Sequence, residues 1–406
     1  MSHDVRFAGL KAPFRVNDAA HVLELLPDIV TGWPFDIERA DPSHDPFFSI
    51  SAVKDSNRVL GESHVRDKVS RKLDPLNALC DMAASLPYAL ADADDRLICL
   101  HAAGIRIGGR LIVFPNVRRA GKSTLSAALA MAGHDVFSDD VLPTSFDTDG
   151  HAFGHALGIA PRLRMPLPEV ICPDFRHWVD EIPGPENKQY KYLTLTDQPA
   201  HGQTHRIGAF VMLDRQDSPC AAELSPVSAD EALKALLHQN FTRDRHSADI
   251  LESIAASLLV EPSLKLTYFH LHDAIACLES AFEGDGGAKA AGAQGEVRHF
   301  RLVGSEPKPP KKLPADRQVM RRDGTFEQMI GDTLYLADPD GLAIHRMDPL
   351  AAAIWDVLEE PAPISELEQI LIAAFPNVSS EQITVDLDKL LRGLARAGLI
   401  RSGEKS

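Results

Sequence analysis

The stretch LIVFPNVRRAGKSTLSAALAMAGHDVFSDDV, Leu111–Val141, decides how this chain is expected to fold. An apolar run comes first, a loop containing Gly121 follows, and a helical pattern then ends at Gly133 before the strand-like DVFS. This order of strand, loop, helix and strand is typical of an α/β unit. The apolar runs LICLHAAGIRI, GAFVML and LKLTYFHL, on either side of the stretch, extend the pattern. The sequence therefore predicts a mixed-sheet α/β core.

The middle of this stretch has the ending of a phosphate-binding loop. Gly121, Lys122, Ser123 and Thr124 match the tail of the pattern G-x-x-x-x-G-K-[ST]. In such a loop, backbone N–H groups and a helix N-terminus converge on an anion, the lysine reaches the β- and γ-phosphates, and the hydroxyl holds Mg²⁺. A helix N-terminus that carries this tetrapeptide by coincidence is the alternative. The apolar strand before it and the amphipathic helix after it favour the phosphate loop.

Two positions depart from the usual loop pattern. Asn116 stands where the first glycine belongs, and Arg119 stands where many related loops have another glycine. Asparagine tolerates a positive φ better than most residues, so the turn at 116 can still form. The guanidinium of Arg119 can lie along a phosphate. The nucleotide-binding residues that the loop predicts are Asn116, Arg118, Arg119, Gly121, Lys122, Ser123 and Thr124.

Two adjacent carboxylates follow the strand after the loop helix. Asp139 and Asp140 come directly after DVFS, and such a strand end points into the crevice that holds the phosphates. A carboxylate that holds metal or positions the attacking group is expected there, with an exposed Asp-Asp turn as the alternative. His101, in LHAAG, ends an earlier strand and can face the same crevice, although a lone histidine there is more often structural.

The composition is that of an ordinary soluble protein. The chain has 406 residues, of which 44% are hydrophobic and 25% charged, so it is long enough for two or three domains. A net charge of −16 argues against a protein that binds nucleic acids or anionic membranes through its overall charge. The sequence contains neither a run of ~20 apolar residues nor a secretory signal, so we expect a cytoplasmic protein. Its five widely spaced cysteines predict neither a disulfide framework nor a zinc knuckle.

The clearest boundary is the run EGDGGAKAAGAQGEV at 283–297, in which Gly and Ala replace large apolar residues. The run SEPKPPKKLP follows, and its prolines favour an extended connector. The sequence therefore predicts four segments, which are a region that packs on the core (1–94), a P-loop domain (95–283), a linker (284–313) and a C-terminal domain (314–406). Within the first segment, LDPLNALCDMAASLPYAL predicts a helix, and the earlier part is either a small sheet or an extension.

The C-terminal segment has a hairpin pattern followed by three helical patterns. TLYLADPDGLAIHRM predicts the hairpin, because DPDG places Pro and Gly at turn positions between two alternating runs. DPLAAAIWDVLEE, ISELEQILIAAF and SEQITVDLDKLLRGLARAGLI predict the helices. A hairpin with three short helices is a winged-helix-like arrangement.

The P-loop half resembles the HPr kinase/phosphorylase family, and especially the related kinases of peptide-modification gene clusters. The resemblance rests on His101-Ala102-Ala103, AGKSTL and SDDV, covers roughly residues 95–145 and extends to about 283. It implies an HPr kinase-like P-loop fold that uses ATP and Mg²⁺, and the family's tendency to oligomerise leaves a homo-oligomer open.

The resemblance also implies roles for individual residues. Lys122 and Ser123 would hold the phosphates and Mg²⁺, and Asp139 would accept the proton of the substrate hydroxyl. Asp140 would support the metal, and His101 would line the site. The segment APRLRM is similar to the family's later basic segment, which makes Arg162 a phosphate contact. A further metal-binding acid of the family has no counterpart that we can place.

The C-terminal segment resembles the PqqD-like family, whose members bind the leader peptides of ribosomally made natural products. GLAIHRMDPLAAAIWDVLEEPAPISELEQIL and VDLDKLLRGLARAGLI carry this resemblance. It implies that an extended peptide adds as a strand beside the hairpin, against the last helix. Trp355 is expected to belong to the core. The implied peptide-binding residues are Ala343, Ile344, His345 and Arg346 on the edge strand, and Asp386, Lys389, Leu390 and Arg392 on the last helix.

Together the two halves predict an ATP-dependent kinase that phosphorylates a Ser or Thr hydroxyl of a precursor peptide recognised by its C-terminal domain. Two alternatives stay open at this point. One is a catalytically inactive P-loop scaffold or peptide chaperone, which Asn116 and Arg119 motivate. The other is a kinase or phosphorylase of a folded carrier protein, as in the parent family.

Overall fold

The structure is a computed structural model of the chain, and it describes residues 1–64, 69–115, 121–242, 245–283 and 318–403. The described residues divide into two compact units. The first comprises 1–242 and 260–292, and the second comprises 243–259 and 293–406, within the described ranges. The segment 243–259 thus belongs to the second unit although it precedes the predicted linker, which lies outside the described residues. The predicted segment boundaries stay predictions.

The start of the first unit is a six-stranded sheet, the first of the two arrangements that the sequence left open. Its strand order is β3-β1-β2-β4-β5-β6. The strands are β1 (Ser2–Phe7), β2 (Phe14–Asn17), β3 (Phe35–Arg39), β4 (Phe48–Ala52), β5 (Val59–Ser63) and β6 (Val69–Leu73). Two helices, α1 (Ala20–Ile29) and α2 (Pro75–Ala93), pack with this sheet.

Helix α2 confirms the helix that the sequence predicts in this region. It begins where the Asp74 side chain accepts a hydrogen bond from the N–H of Leu76, with Pro75 in the first turn, both favourable at a helix start. The core beneath the sheet also contains Leu157, Ala160 and Tyr192 from later in the chain. The N-terminal sheet therefore shares its hydrophobic core with the P-loop half.

A nine-stranded mixed sheet forms the centre of the first unit. Its main path is β10-β8-β9-β15-β12-β11-β7, and β17 pairs with both β15 and β16. The strands are β7 (Ile98–Leu100), β8 (Ala103–Ile107), β9 (Arg110–Phe114), β10 (Asp135–Ser138), β11 (Leu142–Phe146), β12 (Ala152–His155), β15 (Thr204–Arg215), β16 (Glu223–Pro226) and β17 (Ser263–Tyr268). Strands β9, β15 and β17 run parallel to one another, so their carboxyl ends meet at one edge.

The loop helix α3 (Lys122–Met131) connects β9 and β10, as the opening stretch predicts. It begins after Gly121, whose φ of +90° is unstrained only for glycine, and it ends before Gly133 at φ +93°. Leu125 and Leu129 pack toward the sheet, whereas Ala127 and Ala128 pack toward a second apolar cluster. The predicted mixed-sheet α/β core is confirmed.

The remaining elements of the first unit surround this sheet. A two-stranded sheet is made by β13 (Arg162–Arg164) and β14 (Tyr190–Tyr192). The helices are α4 (Pro173–Glu181), α5 (Ala229–Gln239) and α7 (Leu271–Phe282). Helix α6 (Ser247–Val260) lies almost entirely in the second unit, where the N–H of Ser247 donates to the carbonyl of Gly341 at 3.0 Å.

The second unit contains the predicted hairpin and the three predicted helices. Its strands form two three-stranded sheets, ordered β22-β18-β23 and β19-β20-β21. The strands are β18 (Gln318–Arg321), β19 (Phe326–Ile330), β20 (Thr333–Ala337), β21 (Ile344–Arg346), β22 (Ala362–Pro363) and β23 (Ile400–Gly403), and the helices are α8 (Pro349–Val357), α9 (Ile364–Ala374) and α10 (Ser380–Arg396). Trp355 is fully buried in their shared core, as expected.

In the ranges that the structure describes, none of the helices has both the length and the apolar character needed to span a bilayer.

Candidate active site and peptide-binding edge

A tight turn after β10 presents the two predicted carboxylates. The hydroxyl of Ser138 donates to the carbonyl of Val141 at 2.6 Å and accepts from the N–H of Asp140 at 3.2 Å. These two bonds close the turn around Asp139 and Asp140 and each satisfies one backbone polar group of the turn. Ser138 therefore shapes the turn that carries the candidate site, a part that was not predicted from the sequence although a serine just before an Asp-Asp pair is a common turn signal.

Asp139 is the more enclosed of the two carboxylates, with 9% of its surface exposed. Its Oδ2 accepts a hydrogen bond from the backbone N–H of Arg162 at 3.0 Å. Burial, and then the neighbouring charge of Asp140, raise the pKa of Asp139 to about 6. Such a carboxylate is still mostly ionised at neutral pH, but it is a stronger base than an exposed aspartate.

Asp140 lies between two cationic or polar side chains. Its Oδ1 is 3.3 Å from Nε2 of His101, and its Oδ2 is 3.6 Å from a guanidinium nitrogen of Arg162. His101 directly follows β7, and its backbone N–H donates to the carbonyl of Gln239 at 2.8 Å. The structure therefore brings together four predicted residues that the sequence separates by up to about sixty positions.

Two tyrosines of β14 hold Arg162 in place. The guanidinium carbon lies 4.8 Å from the ring centre of Tyr190 and 5.9 Å from that of Tyr192. An arginine stacked on aromatic rings is fixed in orientation and keeps its donors available for an anion. Neither tyrosine could be assigned to the site from the sequence, because the alternation in YKY indicates only a strand and not what the strand faces.

The start of α3 lies beside these groups. Helix α3 packs against β10, which leads to Asp139, and against β13, which begins with Arg162. Lys122 is 7% exposed at the first position of the helix, and Ser123 and Thr124 are half-buried. Of the other predicted loop residues, Asn116, Arg118 and Arg119 lie outside the described residues. The roles assigned to all these residues stay predictions.

A small cavity opens in front of the carboxylates. One wall is the turn of Asp139 and Asp140 with Arg162 and Tyr192, and the other wall is helix α2, through Ala83, Ala84 and Pro87. The N-terminal region thus contributes directly to the wall of the cavity in front of Asp139. The sequence carries no local signal for this contact, because α2 and β10 are far apart in the chain.

The hairpin of the second unit has an edge strand that suits strand addition. Strand β21 is at the end of the order β19-β20-β21. The N–H of Asp338 donates to the carbonyl of Ala343 at 3.1 Å, and the N–H of Met347 donates to the carbonyl of Leu334 at 2.8 Å. Because hydrogen-bonded and non-hydrogen-bonded pairs alternate in an antiparallel ladder, the backbone groups of Ile344 and Arg346 point away from β20.

The side chains of the predicted peptide-binding residues differ in exposure. His345 pairs with Leu336 across the two strands, so both side chains lie on the same face of the sheet. The Nε2 atom of His345 is buried and has no hydrogen-bond partner in the described part of the chain. Burial lowers the pKa of this imidazole. On α10, Asp386 and Lys389 are exposed and Leu390 packs against the core. Arg392 donates from Nε to Asp388 at 2.9 Å. Their contribution to peptide binding stays a prediction.

Comparison with known proteins finds a family match and similarity to solved structures. Residues 334–400 match the family described as Coenzyme PQQ synthesis protein D (PqqD), which confirms the resemblance of the C-terminal segment. No curated protein sequence matches the chain. A similar solved structure is that of the Hpr(Ser) kinase/phosphatase from Coxiella burnetii, with 14% identity and a TM-score of 0.24. The similarity covers 45% of this chain and 91% of that one.

Proposed function

We propose that this protein is an ATP-dependent kinase that phosphorylates a Ser or Thr hydroxyl of a ribosomally synthesised precursor peptide, and that the second unit binds the leader part of that peptide. The observation that carries the proposal is the cluster of His101, Asp139, Asp140 and Arg162 beside the start of α3. A buried base, a second carboxylate, a fixed guanidinium and the lysine of a phosphate loop are the parts that phosphoryl transfer requires.

The chemistry follows from the position of each group. Asp139 takes the proton of the acceptor hydroxyl as the oxygen attacks the γ-phosphorus of ATP, and ADP leaves with the electrons of the broken bond. Lys122 and Arg162 face the charge that develops on the phosphoryl oxygens. Ser123 and Asp140 would hold Mg²⁺, which neutralises phosphate charge when bound. The half-exposed carboxylate of Asp140 suits this role better than the buried carboxylate of Asp139.

The second unit supplies recognition of the peptide. Its match to the PqqD family and the outward backbone groups of β21 both favour an added peptide strand. A leader held on the same chain keeps the acceptor residue at an effective concentration on the order of mM near the active site. The catalytic cavity therefore has little need to recognise the acceptor sequence by itself.

The test is direct phosphorylation of a candidate peptide. The full chain is incubated with ATP, Mg²⁺ and the precursor peptide encoded nearest to its gene, and the product is measured by mass spectrometry. We expect one phosphorylated Ser or Thr with the wild type and none with Lys122→Ala. Asp135→Asn is the matched control, because Asp135 begins the strand that leads to Asp139 but pairs with Arg106 instead. ATP binding without any transfer to peptide would favour the scaffold, and transfer only to a folded carrier protein would favour the parent activity.

A further inference from the structure

A second cavity lies next to the start of α3, and it shares none of its lining residues with the cavity in front of the carboxylates. It has a volume of about 290 Å³. Its walls are the start of α3 at Gly121 and Thr124, the segment 170–172, Arg215 at the end of β15, and the segment 268–273, which begins with the last residue of β17. The cavity therefore opens at the carboxyl ends of the parallel strands, where open α/β sheets bind their ligands.

The floor of this cavity carries a buried hydroxyl group that has no hydrogen-bond partner among the described residues. The side chain of Tyr268 is fully buried, and its oxygen makes no hydrogen bond within the described part of the chain. A methyl group built on Gly121 would lie 3.1 Å from this oxygen, so the hydroxyl is directed toward the end of the phosphate loop. Burial raises the pKa of Tyr268 to about 12, which keeps the phenol neutral and able to donate. A buried unpaired hydroxyl is unfavourable unless a ligand satisfies it.

We propose that this cavity binds the nucleoside part of the triphosphate, with the polar edge of a purine base hydrogen-bonded to the Tyr268 hydroxyl. The inference rests on the proposed function and adds the residues that select the nucleotide. The volume lies near the lower limit of roughly 300–1,000 Å³ for small-molecule sites, which suits a base and ribose rather than a whole nucleotide. The phosphates then leave the cavity beside Gly121, at the helix N-terminus.

The walls have the chemistry that a nucleoside needs. Val170 is 56% exposed and Phe269 is half-buried, so a planar base has apolar surface to stack against. The carboxylate of Asp273, in the first turn of α7, can accept from ribose hydroxyls. Arg215 stands on the side of Gly121 and faces the anionic end of the ligand. Each part of a nucleoside triphosphate thus meets a group of matching polarity.

Cys172 gives the cavity a reporter of its own. This thiol is exposed and lies in the wall, whereas Cys220 and Cys277 lie outside it and are half-buried. The full chain is alkylated with N-ethylmaleimide in the presence of Mg²⁺ with ATP, with inorganic tripolyphosphate or with neither, and each cysteine is followed by peptide mass spectrometry. With ATP at ten times its Kd, mass action predicts that Cys172 reacts about tenfold more slowly. Tripolyphosphate should leave Cys172 reactive, and Cys220 should react equally in all three samples.

A substitution provides the second measurement. Tyr268→Phe removes only the hydroxyl, so calorimetry should show ATP bound roughly three- to tenfold more weakly and tripolyphosphate bound as before. The Tm without ligand should not fall, because the hydroxyl makes no hydrogen bond to any residue that the structure describes. Equal protection of Cys172 by tripolyphosphate, or ATP binding that leaves Cys172 fully reactive, would overturn the nucleoside site while leaving kinase activity intact. The absence of any ATP binding would overturn the proposed function together with it.

Discussion

Arg162 contacts both acids of the site through different atoms. Its backbone N–H donates to Asp139 at 3.0 Å, and its guanidinium lies 3.6 Å from Asp140. Substitution can separate these two contacts. Any residue other than proline at position 162 keeps the backbone N–H that donates to Asp139, whereas the guanidinium contact with Asp140 depends on the arginine side chain. Arg162→Lys keeps the positive charge but loses the planar fork and the stacking on Tyr190. We expect kcat/KM to fall on the order of 10²-fold, the usual effect of losing one aligned donor. An unchanged kcat/KM would remove Arg162 from the phosphoryl contacts.

Asp139 should affect the rate far more than it affects nucleotide binding. Asp139→Asn keeps an oxygen for the N–H of Arg162 but can no longer accept a proton. We expect kcat to fall by about 10²–10⁴-fold while the Kd for ATP changes little. Stopped-flow or quench measurements of transfer, with calorimetry of ATP binding, separate the two effects. If binding and rate fall together, Asp139 is a metal ligand and the roles of the two acids are exchanged.

The raised pKa of Asp139 also predicts how the stability of the metal-free protein depends on pH. Its pKa is about 6 in the fold and near the ordinary 3.8 in the unfolded chain. Below pH ~4 the carboxyl is protonated in both states, so no charge is buried and the free energy of unfolding is not lowered. As the pH rises from ~4 to ~6, only the unfolded chain releases the proton, so the free energy of unfolding falls, and above pH ~6 the penalty is complete.

Asp139→Asn should remove this penalty. In EDTA, the variant should be more stable than the wild type by on the order of 3 kcal/mol at pH 8, and the two should converge near pH 4. Urea unfolding at several pH values measures the difference. Asp135→Asn, at the start of the strand that precedes Asp139, should show no such pH-dependent gain. A difference between Asp139→Asn and the wild type that is constant with pH would mean that burial of the charge is not its cause.

Neighbouring prolines in β21 test the added-strand mode. The N–H of Ile344 points away from β20, so Ile344→Pro leaves the hairpin ladder intact and removes a donor from the open edge. We expect peptide affinity to fall roughly tenfold with no loss in Tm. His345 belongs to a hydrogen-bonded pair with Leu336, so His345→Pro should break the hairpin and lower the Tm instead. Full peptide affinity in a folded Ile344→Pro variant would exclude pairing at this edge.

The elements that the sequence predicts well are those with local signals. Gly121 and Gly133 mark the ends of α3, and Pro339 and Gly341 mark the hairpin turn, because each residue acts on its own backbone. His101, Asp139 and Asp140 were placed in one crevice because strand ends of such a sheet share an edge. Their proximity in the structure agrees with that expectation.

What the sequence could not predict depends on contacts between distant segments. Nothing near Tyr190 or Tyr192 indicates that they support Arg162, and nothing in α2 indicates that Ala83 faces Asp139. Tyr268 has the pattern of an ordinary strand residue, and only the packing around it shows that its hydroxyl lacks a hydrogen-bond partner in the described ranges. An apolar periodicity reports that a face is buried, but not which partner covers it.

The assignment of 243–259 to the second unit has a consequence for how such a protein can arise and be dissected. The polypeptide leaves the first unit before α6, returns to it at 260, and leaves it again after α7. In a gene fusion with a single crossover at the linker, the recognition domain would lack its own α6. The catalytic domain would instead carry the α6 of its own parent as a surplus helix. Exchange of recognition domains between such proteins therefore requires two breakpoints, and chimeras should be designed with α6 and 318–403 taken from the same parent.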